Sequence, residues 1–419
     1  MATTMPGFPT SPPGIPDSSE AIGNSPLHNL PARVHAAFVL MFAVTPDVAI
    51  THNWMPPGMQ PIPGEVTESY RGRLDAMQQR LLGEPYLLTR RLTRTAVGRL
   101  VLNGPPGDPP HADVHLVRHK SGAAVWEVWL DAPTQAMDAD RWIGWMDMER
   151  DDSIAQVVWR TLNPPGPGQR LHPEMMLPLA VLRAEGQPLA GLLARHGYDL
   201  VKLLHRDDSG ERFKAAFVRE ELAADFCRRE EGLSLVARTA AIDVHGCMPA
   251  LASSQLPHNT LPLLVTLELL CLERAVLRSF LNRFTQGIYG TVDDLIELRR
   301  DIYDGLEEYY GTLAKTHDYT AEATALGERL FGINDLFDSV VERLEALTFE
   351  ITTRNQQAFS RIGMWLTASF GAIETGFVAS SIAIWHYRGN LPAVLGWTFG
   401  VALGSAFLIS RVLRAKMKG

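Results

Sequence analysis

The sequence predicts an α/β (or α+β) domain, then a long helical stalk, then two C-terminal transmembrane helices. Three observations carry that reading. Strand-like and helix-like apolar patterns mix through the first 250 residues or so. Beyond them the β signal vanishes and a heptad seam takes over. Near the C-terminus two apolar runs, each close to the roughly 20 residues a bilayer requires, are separated by only a few polar residues.

Positions 1–30 are rich in Pro, Ser and Gly, hold too little apolar surface to order themselves, and are expected to form a disordered tail. They contain no basic cluster followed by an apolar core, so the domain behind them is expected to stay in the cytoplasm. That domain is placed at 31–250. "VHAAFVLMFAV" (Val34 to Val44) has the length and branching of a buried strand. "ADVHLVRHKSGAAVWEVWLDA" alternates on both sides of Lys120, Ser121 and Gly122, which reads as a hairpin. "VARTAAIDVHG" is a further strand, ended by Gly246. "ESYRGRLDAMQQRLLG", "PEMMLPLAVLRAEG" and "ERFKAAFVREELAADFCRREE" read as helices, and the proline pairs at 105–106, 109–110 and 164–165 as loops.

A helical region is expected over 260–361. "LPLLVTLELLCLERAVLRSFLNRF" is a leucine-rich helix broken by Gly287 and Gly290, and a strongly charged helix opens at Thr291. From about Thr320 the apolar positions Leu326, Leu330, Ile333, Phe337, Val340, Leu344, Leu347 and Ile351 are spaced 4-3-4-3-4-3-4. This seam would pack against helices of the same chain or of symmetry mates. Gly327 and Gly332 weaken it by about 1 kcal/mol each relative to Ala. Unbroken from Thr320 to Trp385, the helix would run roughly 98 Å at about 1.5 Å per residue.

The spans are placed together at 362–412, the first from Ile362 to Trp385 and the second from Leu391 to Val412, with a basic tail at 413–419. Trp385, His386 and Tyr387 sit at one end like an interfacial belt. Arg354 and Arg361 precede the first span, and Arg411, Arg414, Lys416 and Lys418 end or follow the second. The connecting loop holds only Arg388. The positive-inside rule then puts both termini in the cytoplasm of a multi-pass inner-membrane protein. One carboxylate, Glu374, interrupts the first span, at a cost of roughly 2.5–3.5 kcal/mol on insertion scales. Helical spacing sets Thr367, Gly371, Glu374, Val378 and Ser381 on one stripe. Such a stripe is either a tight helix contact or the lining of a hydrated path, and gathered copies would make Glu374 an acidic ring that favours cations.

This order of elements resembles the CorA family of two-span divalent-cation channels, from about Val34 to Gly419. The family's loop motif is Tyr-Gly-Met-Asn, more loosely Gly-x-Asn. Here the loop reads Tyr387, Arg388, Gly389, Asn390, with the glycine and asparagine adjacent. The resemblance implies a homopentamer in lipid whose first spans line the pore, with Tyr387, Arg388, Gly389 and Asn390 at the mouth. It also implies a divalent cation, Mg2+ or a transition metal, as cargo or regulator.

His111, Asp113, His115 and His119 alternate onto one strand face, which reads first as a solvated face and second as a place where imidazole and carboxylate could bind a transition metal. Asp138, Asp140, Asp147, Glu149, Asp151 and Asp152 form an acidic cluster that reads first as charged surface. Cys227, Cys247 and Cys271 stand far apart, form no CxxC pair, and read as buried structural thiols of a reducing compartment. A formal charge of -8 with no basic stripe argues against nucleic acid. No phosphate loop, nucleophile elbow or metalloprotease motif is present, so no enzyme is expected. Two functions remain open: a cation channel or transporter gated by the cytoplasmic domain, and a membrane effector whose cytoplasmic domain senses a small intracellular ligand.

Overall fold

The computed structural model describes residues 34–45, 59–62, 92–102, 108–119, 122–132, 139–163, 173–248, 260–286, 293, 296, 297, 300, 318–387 and 390–416. The N-terminal tail, the helix expected around residues 68–83, most of the helix opening at Thr291, Arg388 and Gly389 lie outside these residues. The chain divides into two units. One joins Met1–Gly287 with Ile302–Val341, and the other joins Ile288–Asp301 with Glu342–Gly419.

The first unit is built on an eight-stranded sheet of β1 (Val34–Val44), β2 (Met59–Gln60), β3 (Leu92–Val101), β4 (His111–His119), β5 (Ala124–Ala132), β6 (Met175–Glu185), β7 (Gly232–Val236) and β8 (Ala241–Met248). Their order across the sheet is β2-β3-β4-β5-β1-β6-β8-β7. Every pairing is antiparallel except that of β6 with β8. The β4–β5 hairpin closes where Gly122, at φ 91, donates its N–H to the His119 carbonyl.

One sheet face carries the apolar core. Phe38, Leu40 and Phe42 of β1 and Trp126, Val128 and Leu130 of β5 meet helices α1 (Ala139–Trp145), α2 (Ile154–Leu162) and α3 (Leu189–His205). Phe38 meets Trp142 edge-on at 4.9 Å between ring centres, and Phe42 stacks on Trp159 at 5.5 Å. Helix α4 (Ala215–Ala223) adds Val218 and Leu222. The other face packs against α5 (Thr260–Gln286), which touches β1, β5 and β6 and also α6 (Asp318–Leu330). Central strands covered on both faces need apolar residues at every position, which is why β1 reads as a continuous run. The same reason makes α5 apolar nearly all round.

The structure corrects several readings. "PEMMLPLAVLRAEG" is not a helix but β6, a central strand. A short continuous apolar run has no periodicity to separate the two states, and pairing on both edges decided for strand. Its Pro178 lies one residue before the pairing with β8 begins at Leu179, so no ladder to β8 is interrupted there. "VARTAAIDVHG" is the end of β7, a turn and β8, and the strand runs past Gly246 to Met248. Helix α4 covers only nine residues of its expected stretch.

The long helix does not start at Thr320 either. Helix α6 ends at Leu330, Gly332 takes φ 65, and α7 (Ile333–Tyr387) begins beyond it. The Phe331 N–H bonds the Gly327 carbonyl and the Gly332 N–H that of Arg329, a left-handed C-terminal cap that only glycine adopts without strain. On α7, Ile333, Val340, Leu344, Leu347 and Ile351 are already buried within one chain, so those seam positions need no second copy to cover them.

Candidate functional site

The second unit holds the remainder of α7 and α8 (Leu391–Lys416), and both helices are long and apolar enough to cross a membrane. Their apolar side chains turn outward: Trp365 is 62% exposed, Phe377 70% and Leu403 69%. Bare rings and leucines at this density suit hydrocarbon better than water.

The two helices meet along small residues. Ala368, Ala372, Gly376 and Ala383 are buried on α7 at intervals of four to seven, and Val394 is buried on α8. The approach is close at Gly376, where an added Cβ would stand 3.2 Å from Ala402 Cβ and 3.8 Å from the Thr398 carbonyl oxygen. Close backbone approach through small residues is how helices associate in lipid, where no hydrophobic force drives them together.

Glu374 lies two residues from Gly376, about 200° around an α-helix. It is exposed, on the side of α7 turned away from α8, and has no partner among the described residues. Thr367, Val378 and Ser381 are exposed with it. Gly371 differs, because it comes within 3.7 Å (at a built Cβ) of Ile409 Cδ1 on α8. The stripe's hydroxyls satisfy themselves: Thr367 Oγ1 donates to the Gly363 carbonyl at 2.9 Å and Ser381 Oγ to that of Phe377 at 3.0 Å. Of the polar side chains on this stripe, the carboxylate alone makes a demand on its surroundings. Of the mouth residues, Tyr387 ends α7, and Asn390 precedes α8, its carbonyl accepting the Val394 N–H at 3.1 Å. It occupies the N-cap position, with Pro392 in the first turn, where a missing N–H costs nothing.

The β4 residues share one face as expected, opposite Ala112, Val114 and Leu116, but each is engaged separately. Asp113 takes a two-point contact from Arg99, at 2.6 and 2.8 Å. His115 is buried edge-on to Trp129, and that burial lowers its pKa. His119 is fully buried, while His111 is half-exposed. Among the described residues no three His, Cys, Asp or Glu side chains converge to hold a metal ion. In the acidic cluster Asp138 lies outside the described residues. Asp140 pairs with Lys202, Asp151 with Arg160 and Asp152 with Arg150, and Asp147 accepts the Glu149 N–H. The thiols are not uniformly buried: Cys271 is, Cys227 is half-buried and Cys247 is exposed.

Sequence reasoning missed three polar clusters on the α5 side of the sheet. Arg94 of β3 bonds Glu127 of β5 at 2.5 Å and holds Glu268 of α5 through both terminal nitrogens. This three-charge bridge ties sheet to helix. At the far edge His245 Nε2 lies 2.7 Å from Asp243 Oδ2 and 3.0 Å from Thr260 Oγ1. Ser234 Oγ donates to Asp243 Oδ1 and receives the Tyr319 hydroxyl. A catalytic relay needs carboxylate and hydroxyl on different ring nitrogens, and here both meet the same one. This network joins β7, β8, α5 and α6. The third group is Glu273 of α5, 4% exposed, with Oε2 sealed from solvent and from any hydrogen bond. The signal was present for Glu268 and Glu273, since each is a carboxylate inside a leucine run, the anomaly that singled out Glu374.

No protein family, curated protein or solved structure matches the chain.

Proposed function

We propose that the chain is a CorA-like membrane cation channel, assembled from several copies, on the family's pattern a homopentamer, with the α/β domain cytoplasmic and both termini inside. The observation that carries this reading is the division of labour on α7. Its small-residue face is used up by α8, and its Thr367–Glu374–Ser381 face is free. A lone carboxylate held in lipid is costly, and the cost falls if copies gather it around a hydrated axis. Cations are the cargo such a ring attracts. Passive permeation needs no further chemistry from the chain.

The test is ion flux in liposomes, on protein whose mass in detergent is measured by light scattering. The wild type is expected to be a multimer that passes cations. Glu374→Gln keeps the shape, loses the charge, and should cut cation flux or selectivity about tenfold or more, a change of roughly 1.4 kcal/mol or more in the barrier. Glu374→Lys reverses the sign and should block cations. A monomeric wild type, or unchanged conductance in Glu374→Gln, removes the channel reading.

One observation favours a second reading, a membrane effector opened by an intracellular ligand. The loop glycine and asparagine are adjacent, and Asn390 starts a helix. Flux that appears only when cell extract is added on the cytoplasmic side would select it.

A further inference from the structure

Helices α5 and α6 pack so closely at one glycine that a larger residue there would require a leucine of α5 to shift. A Cβ on Gly327 of α6 would stand 2.4 Å from Leu270 Cδ1 of α5. One turn further along α5, Arg274 Nη1 donates at 2.7 Å to the carbonyl of Phe331, the residue between α6 and the left-handed Gly332. The joint therefore fixes the seating of α6 and its C-terminal end. Glu273 is enclosed in this joint with Oε2 buried and unpartnered among the described residues, and the charged group that acts on it from α6 is Glu328, which is itself half-buried. Thr324 Oγ1, one turn before Glu328, is also buried without a partner.

Among the described side chains, the other charges on the elements packed against α5 are committed elsewhere or exposed. Glu174, at the entrance to β6, faces Arg274 and Arg278 at 3.6 and 3.9 Å. Glu127 of β5, with Glu268 of α5 itself, is held by Arg94, and Arg183 of β6 lies beside Asp131 of β5. On α6, Glu322 is exposed near Arg228, and Arg329 is exposed. The described positions of β1 on this face, Ala37, Val39, Met41 and Ala43, carry no charge.

We propose that the α5–α6 joint is a proton-operated latch: with a proton on Glu273, α6 stays docked against α5, and loss of that proton drives the two helices apart. A buried neutral carboxyl with one unmet hydrogen bond is tolerable, whereas a buried carboxylate opposite a second acid is not. Burial first, and Glu328 second, push the Glu273 carboxyl up to about 8, well above its ordinary value. A group with a raised folded pKa contributes stability that is fully present below its ordinary pKa and is lost as pH rises through the folded one. Docking should therefore weaken from about pH 5 to about pH 8 and level off above. Because α6 leads through Gly332 into α7, alkaline conditions would release the segment that precedes the first candidate span. This inference does not depend on what crosses the membrane.

The experiment is hydrogen exchange of the 318–330 peptides in the full-length protein in detergent, from pH 6 to pH 9, corrected for intrinsic exchange. Wild type is expected to lose about tenfold in protection per pH unit between pH 6 and 8, as one proton released requires. Glu273→Gln and Glu273→Leu should be flat over that range. Glu328→Gln should move the levelling-off to lower pH, because it removes the second cause of the raised pKa. A flat wild type overturns the latch, and so does a Glu273→Gln slope equal to that of wild type. If neither Glu273 variant folds, wild type against Glu328→Gln decides, and identical profiles overturn it.

Discussion

At the residue scale the chain's unusual groups are carboxylates placed among leucines, and each has a different answer to its desolvation. Glu268 is matched by Arg94, in a bridge where removing one partner strands buried charge. Glu273 has no ion-pair partner among the described residues, and burial raises its pKa well above the ordinary carboxyl value. Glu374 stays outside the packed core of its hairpin and waits on whatever lies beyond the chain. The thiols divide in a similar way. Burial pushes the Cys271 thiol up to about 12, which leaves almost no thiolate at neutral pH, while Cys247 stands exposed at the end of β8. With a thiol-reactive dye in native conditions, Cys247 should label first and Cys271 only after denaturation. Labelling of Cys271 in the folded protein would mean that α5 is not buried against the sheet.

At the element scale glycine decides two junctions. Gly332 turns one expected stalk helix into two, because its left-handed φ lets α6 end with its carbonyls satisfied. Gly376 lets α7 and α8 approach. A Gly376→Leu change should separate the hairpin and cost about 1–3 kcal/mol by overpacking, seen as a lower melting midpoint in detergent. Gly400 has nothing within 4 Å of a built Cβ, so Gly400→Ala should be neutral within about 0.5 kcal/mol. Equal effects at both positions would count against the small-residue seam. The heptad on α7 also changes meaning: with Val340, Leu344 and Leu347 buried in one chain, an acid placed there would attack the fold before it attacked any assembly.

At the scale of the whole molecule the prediction is topological. Basic residues flank both spans on their outer ends, and the loop between α7 and α8 has one. A cysteine replacing Arg388 should react with a membrane-impermeant reagent on intact cells, and one replacing Lys416 should not. The opposite pattern would put the α/β domain outside and end the proposal that it gates from the cytoplasm.

The sequence by itself determined whatever depends on local pattern. The β1 run and the β4–β5 hairpin, the leucine-rich α5, and two helices able to span a bilayer were all legible, because period, length and turn residues act within a few positions. What needed the tertiary structure was the identity of neighbours. Periodicity does not distinguish a central strand from a buried helix, so β6 was read wrongly until β1 and β8 flanked it. The stripe around Glu374 was legible, but the face of α7 that α8 occupies was not, since small residues mark that face only once a partner helix closes on them. Glu273 was visible as a carboxylate inside a leucine run, but its burial was not. Packing of α5 between the sheet and α6 buries it, and desolvation is a property of the fold and not of the residue.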